Sequence, residues 1–178
     1  MIQTDDARVV RSPDEPISRV TVEQRYRPIV QALESAFTER FKTMVLFGSQ
    51  ARGEGRPESD HDPFVVIEGL PREPLARLRA VPATLLPILN DLPGPVGFVA
   101  KTPDEVAINL TPLLLDVCVE GVCLCGASYF ELYRQKALAA LRRSGLRRRR
   151  VGGELVWLFP RMPAGDWELT WEGYREGR

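Results

Sequence analysis

The sequence predicts an α/β protein: a small mixed sheet packed by helices, with a β-hairpin appended at the C-terminus. Three observations carry that expectation. Short β-branched and apolar runs alternate with stretches of helical periodicity, the pattern of helices laid on a sheet. The stretch between the first two such runs, Gly48 to Asp62, is rich in Gly, Ser, Asp and Pro and reads as a turn, a short helical segment and a loop. Two aromatic, strand-like runs, Leu155 to Pro160 and Trp167 to Trp171, are joined by a Pro-Ala-Gly-Asp turn near the end.

Met1 to Arg19 holds Pro13 and Pro16 among charged residues without hydrophobic periodicity, and reads as a poorly ordered lead-in. Thr21 with Gln24 is compatible with a helix start, and Tyr26, Ile29, Val30, Leu33, Ala36 and Phe37 recur on one face as far as about Phe41. Pro28 fits that helix only if it begins late, because proline removes an interior hydrogen bond. Thr43 to Phe47 and Pro63 to Ile67 read as buried strands, each closed by glycine within two residues. Leucines and alanines from Glu73 to Asp91 predict a helix that Pro82 and Pro87 kink or break. Val96 to Ala100 reads as a third strand. Pro103 opens a short helix with Asp104 and Glu105 in its first turn, where carboxylates suit the helix dipole. A second helix begins near Pro112 and ends at Gly121, Val122 to Cys125 reads as a strand, and Ser128 opens a longer helix. The expected organisation is a lead-in over 1–19, one domain over 20–145, and a basic linker with a hairpin over 146–178.

Composition narrows the function classes. With 178 residues the chain is long enough for one compact core and a small appendage. No segment approaches the ~18 uninterrupted apolar residues of a membrane span, and the first residues lack the apolar run of a secretory signal. No membrane association and a cytoplasmic address are therefore expected. Formal charge balances at zero, so no global field draws the protein to nucleic acid or anionic lipid. Cys118, Cys123 and Cys125 lie in an apolar stretch and read as buried packing rather than a disulfide framework or a metal site.

The residues that carry chemistry lie between Phe47 and Val66. Gly48 allows close backbone approach after the first strand, Ser49 can donate to a phosphate oxygen, and the helical segment there aims free amides at an anion. Asp60 and Asp62 stand at alternate positions where the second strand begins, so both side chains project to one side. Two such carboxylates can hold Mg²⁺ ions that bridge phosphates. Gly48-Ser49-Gln50-Ala51-Arg52-Gly53 followed by Ser59-Asp60-His61-Asp62 resembles the signature of the polymerase-beta nucleotidyltransferase superfamily, specifically its minimal branch.

That resemblance implies the polymerase-beta-type nucleotidyltransferase fold and transfer of a nucleoside monophosphate from a nucleoside triphosphate, first of all ATP, to an acceptor hydroxyl. Acceptors in the superfamily include proteins, small molecules and RNA ends. It implies Asp60 and Asp62 as catalytic metal-binding residues, with Mg²⁺ or Mn²⁺, and Gly48, Ser49, Arg52 and Ser59 as nucleotide-binding residues. Arg52 reads equally as a phosphate contact or as a salt bridge to a neighbouring carboxylate. His61, the only histidine, is turned by strand alternation away from the aspartates. The small size most resembles members that work beside a helical, toxin-like protein partner, and a homo-oligomer is the other expectation.

One element is missing. Superfamily members usually take a third acid from a later strand, and Pro95 to Pro103 looks like that strand with Gly97 where the acid is expected. Glu68 and Asp104 are the nearby substitutes by chain position, and Asp91 precedes a Pro-Gly-Pro turn outside the strand. Losing that acid should spare nucleotide binding more than catalysis, which leaves a weakened binding module or antitoxin-type subunit as the alternative. Arg142, Arg143 and Arg147 to Arg150 form a basic cluster that reads first as a solvated helix end and second as a polyanion site. Trp157, Trp167, Trp171 and Tyr174 read either as a stacking platform or partner surface, or as cross-strand pairs of the hairpin.

Overall fold

The computed structural model describes residues 19–56, 58–90, 94–159, 161 and 167–176, so the expected lead-in lies outside the described residues except for Arg19. A four-stranded mixed sheet forms the centre: β1 (Phe41–Phe47), β2 (Asp62–Ile67), β3 (Val99–Lys101) and β4 (Val122–Cys125), in the order β3-β2-β1-β4. β1 pairs antiparallel with β2 and with β4, whereas β2 and β3 run parallel. The two central strands are buried almost throughout because helices cover both faces.

Strand alternation divides the core in two. Met44, Leu46, Val65 and Ile67 point to the face covered by α1 (Arg19–Phe37) and by α4 (Pro82–Leu89). Val45, Phe64 and Val66 point to the face covered by α5 (Pro103–Ile108), α6 (Pro112–Glu120) and α7 (Ala127–Ser144). α2 is the short helix Gly48–Arg52 after β1, and α3 (Pro74–Ala80) precedes α4.

Several elements differ from the sequence expectation. α1 does not begin late: it runs through Pro28, its buried stripe of Val22, Tyr26, Ile29, Leu33 and Phe37 outweighing the one missing hydrogen bond. It also stops at Phe37, and Phe41 already belongs to β1. The break expected at Pro82 is present: between Glu73 and Asn90 lie two helices parted at Val81, with Pro82 in the first turn of the second, where its missing N–H has no helical partner to lose, and Pro87 inside it. Thr102 and Glu105 form a capping box around the start of α5.

Among the described residues the C-terminal segment holds two hairpins where one was expected. β5 (Arg147–Val151) pairs with β6 (Glu154–Leu158), and β7 (Trp167–Thr170) pairs with β8 (Gly173–Glu176). Gly152 and Gly153, both at positive φ, make the two-residue turn of the first hairpin, so among the described residues the run from Leu155 pairs with β5 and not, as expected, with the run from Trp167 to Trp171. The arginines Arg147 to Arg150 are accordingly a strand and not a solvated helix end. Two tryptophans fasten these hairpins to the body: Trp157 donates to Asp116 Oδ1 at 2.8 Å and Trp171 donates to the Val106 carbonyl at 3.1 Å. Trp167 meets Phe159 edge-on at 4.7 Å and remains half exposed, and the Tyr174 side chain lies outside what is described.

Candidate active site

The site is built where β1 hands over to α2. Phe47 is extended, and Gly48 then takes φ +75°, a left-handed conformation that a side chain would strain. β1 and β2 are antiparallel, and their register sets Phe47 opposite Asp62, so the carboxylate at the head of β2 lies beside the turn. A Cβ on Gly48 would stand 2.6 Å from Asp62 Oδ2. Glycine is thus required twice over, by backbone angle and by the approach of Asp62.

Asp60 lies exposed two residues ahead of Asp62, and His61 between them is buried. The His61 ring turns to the α1 face, where it meets the Tyr26 ring edge-on and its Nδ1 hydrogen-bonds the Tyr26 hydroxyl. This anchor faces His61 away from the aspartates, as strand alternation predicts. Burial and the Arg25 charge hold its pKa below the ordinary histidine value. Asp62 behaves oppositely: burial, and then the neighbouring Asp60 charge, push its carboxyl above the usual range, with Arg52 opposing. A divalent cation would relieve both effects, and two hard carboxylate oxygen donors suit Mg²⁺ or Mn²⁺.

The loop between the turn and Asp60 hangs on Gln50. Its buried side-chain amide donates to the carbonyls of Arg56 and Ser59, and Gly55 packs against it so closely that a Cβ would fall 2.8 Å from its Cδ. Ser59 closes the same loop, its hydroxyl accepting from the Arg56 N–H at 2.9 Å. Ser49 accepts the amides of Glu54 and Gly55 on its carbonyl, each at 3.0 Å.

Arg52 takes the salt-bridge role. Its Nε donates to Glu54 at 2.9 Å and its Nη1 to Glu120 Oε1 at 2.7 Å. Burial opposes its charge, but Glu54 and Glu120 outweigh that and raise its pKa. Glu120, the last residue of α6, also accepts the Gly48 N–H at 3.2 Å and an Arg148 guanidinium N–H from β5. Arg148 reaches Asp116 as well, at 3.0 Å, and the Arg150 Nη2 donates to both Glu54 carboxylate oxygens, at 2.9 and 3.0 Å. Burial raises the Asp116 carboxyl, against the pull of Trp157 and Arg148.

Glu120 and Asp116 were not singled out by the sequence, Gln50 entered only as part of the Gly48 to Gly53 motif, and Arg148 only as a member of the basic cluster. The available signal was Asp116 and Glu120 four residues apart on an otherwise apolar helix, which sets both on one face. Of the substitutes for a third acid, Glu68 pairs with Lys42 at 2.9 Å beyond the opposite end of β2, and Asp104 lies in α5 after the far end of β3. Neither joins Asp60 and Asp62, because β2 and β3 are parallel and carry both residues away from the turn. Asp91 falls outside the described residues.

Gly97 does stand beside the site. His61 bridges Val96 and Phe64 pairs with Val99, so the same register sets Gly97 level with Asp62. Its N–H donates to the His61 carbonyl at 2.9 Å, and a Cβ there would lie 3.6 Å from Asp62 Oδ1. Among the described residues, no group of three or more His, Cys, Asp or Glu side chains could hold a metal ion. No helix among them is long and apolar enough to cross a membrane.

Residues 27–98 match the family model described as a nucleotidyltransferase domain. No curated protein matches the chain. Solved structures with a similar fold include a toxin-antitoxin with AMP-PNP, at 21% identity, covering 68% of this chain and 87% of that one with a TM-score of 0.49. The toxin-antitoxin MntA-HepT matches at 19% identity over 68% and 87%, TM-score 0.46. The tri-AMPylated Shewanella oneidensis HEPN toxin in complex with MNT antitoxin matches at 20% identity over 68% and 87%, TM-score 0.47.

Proposed function

We propose that this chain, which belongs to the polymerase-beta-type nucleotidyltransferase superfamily through residues 27–98, moves a nucleoside monophosphate from a nucleoside triphosphate to an acceptor hydroxyl. ATP is the first candidate donor, and a protein side chain, a small molecule or an RNA end is the acceptor. The nucleotidyltransferase domain is taken as 20–145, with 146–178 as its appendage. The observation that carries the reading is the approach of the Asp62 carboxylate to the bare Cα of Gly48, with Asp60 two residues before it.

In the reaction the acceptor oxygen bonds to the α-phosphorus, the bond from that phosphorus to the bridging oxygen breaks, and pyrophosphate leaves with the electron pair. The hydroxyl proton leaves to water. Asp60 and Asp62 would hold Mg²⁺ or Mn²⁺, which when bound supplies charge neutralisation for the triphosphate. Gly48 offers an amide and no side chain, so the phosphates can approach the backbone, and Arg52 supplies a positive charge that acts on Asp62. Ser49 lines the first turn of α2, and Ser59 holds the loop from which Asp60 projects.

Incubation with Mg²⁺ and ATP labelled at the α-phosphate tests this directly. Label should pass to the chain itself, a co-purified protein or an added acceptor, and Asp60→Asn should abolish it. A second reading, a binding module or antitoxin-type subunit with weakened catalysis, rests on Gly97: the position level with Asp62 carries no acid. ATP binding without any transfer would favour it.

A further inference from the structure

We propose that the β5–β6 hairpin completes the nucleotide site, with Arg148 as a triphosphate-binding residue and Glu120 as the carboxylate that the triphosphate displaces. This rests on the nucleotidyl-transfer reading above and extends it to residues beyond the matched region.

The geometry around Glu120 is that of a bound anion. Its carboxylate accepts from the Gly48 N–H, the Arg52 guanidinium and the Arg148 guanidinium, and its side chain is 8% exposed. One backbone amide from a glycine turn and one N–H from each of two guanidinium groups are donors of the kind that phosphate oxygens take. Gly48 connects this anion to the metal-type carboxylates, because the residue whose amide holds Glu120 is the one whose Cα abuts Asp62. A triphosphate tail approaching Asp60 and Asp62 over Gly48 therefore meets the Glu120 carboxylate, and like charges there repel.

The arginine strand is arranged for such an exchange. Arg148 and Arg150 lie two residues apart on β5, hence on one face, and they reach Glu120 and Glu54, the same two carboxylates that hold Arg52. Arg148 is fixed over the Trp157 ring at 5.7 Å and held by Asp116 at 3.0 Å, so it stays in place if Glu120 moves. Its Nε is buried without a hydrogen-bond partner, a donor in reserve that a phosphate group, with more oxygens than a carboxylate, can use.

Titration of the full chain with ATP in excess Mg²⁺ tests the exchange, with adenosine as the probe that lacks phosphate. Glu120→Gln keeps the side-chain shape and removes the competing charge, so ATP should bind about tenfold more tightly. Arg148→Gln should weaken ATP about tenfold and flatten the salt dependence of its binding. Arg148→Lys keeps the charge without the fork, and should weaken ATP with an unchanged melting temperature even if Glu120→Gln proves too unstable to use. Adenosine affinity should be unchanged in all three. Wild-type binding of ATP with every variant within about twofold of it would overturn this proposal alone, leaving the hairpin as packing. Failure of the wild-type chain to bind ATP at all would overturn the transfer reading and this proposal together.

Discussion

Gly48 and Gly97 flank the Asp62 carboxylate from two sides, and the room each leaves is different. At Gly48, φ is +75° and an added Cβ would fall 2.6 Å from Asp62 Oδ2, so only glycine fits. At Gly97 an added Cβ would rest 3.6 Å from Asp62 Oδ1, an ordinary contact. One glycine is the condition for bringing the carboxylate against the turn, and the other leaves room for a side chain beside it. On the proposed reading the site is tight where a nucleotide would bind and open where a third acid would complete a metal centre.

The largest effect that would sharpen this contrast is expected at Gly48. Gly48→Ala strains the left-handed turn and drives a methyl into Asp62, and should lower stability by about 1–3 kcal/mol while removing measurable ATP binding. Chemical denaturation and titration calorimetry read the two effects, and an alanine variant that binds ATP as the wild type does would break the comparison. Gly97→Asp is the opposite case. It should fold with nearly unchanged stability, tighten Mg²⁺ or Mn²⁺ binding, and raise the rate of nucleotidyl transfer about tenfold or more. A variant that folds but gains neither metal affinity nor rate would mean that the space beside Asp62 is not a ligand position.

Gln50 gives a smaller, purely structural effect. Gln50→Leu leaves the carbonyls of Arg56 and Ser59 without their side-chain donor, and should cost about 1–3 kcal/mol and loosen the loop ahead of Asp60. Hydrogen exchange of the loop amides, including Ser59, would show the loosening. An unchanged exchange pattern would mean that Gln50 does not hold this loop.

The smallest effect lies away from the site. Burial pushes the Cys118 thiol up to about 12 from 9.0. The folded-state value is raised, so this contribution to stability is fully present below pH 9 and is lost as pH rises from there toward 12. Cys118→Val should flatten the fall of melting temperature between pH 8.5 and 10. A fall of equal steepness in the variant would assign the alkaline loss to other groups.

The flanks of Asp62 also show how far the sequence was legible. β1, α2, β2 and the aspartate pair are local: Gly48 to Asp62 lies within one turn and loop, and residue spacing alone places its parts. The register that sets Gly97 level with Asp62 was also within reach, since a strand near Val96 was expected there. What the sequence did not display depends on contacts across the fold. Glu120 reaches Gly48 from the end of a helix 72 residues on in the chain, and Arg148 reaches Glu120 from a strand beyond that. Nothing in the local pattern of either segment points to the other. The first C-terminal hairpin was legible in the Gly152-Gly153 dipeptide, a two-residue turn signal set between runs that look too charged to form a strand. Arg147 to Arg150 form one because acids of α2's loop and α6 neutralise two of the four arginines.

Transfer of label from ATP carrying its label at the α-phosphate, compared between the wild-type chain and Asp60→Asn in Mg²⁺, decides whether Asp60 serves nucleotidyl transfer. The wild type should give labelled product, and the variant at least about a hundredfold less. Equal transfer by both chains, or none by the wild type with any acceptor present, would contradict that role.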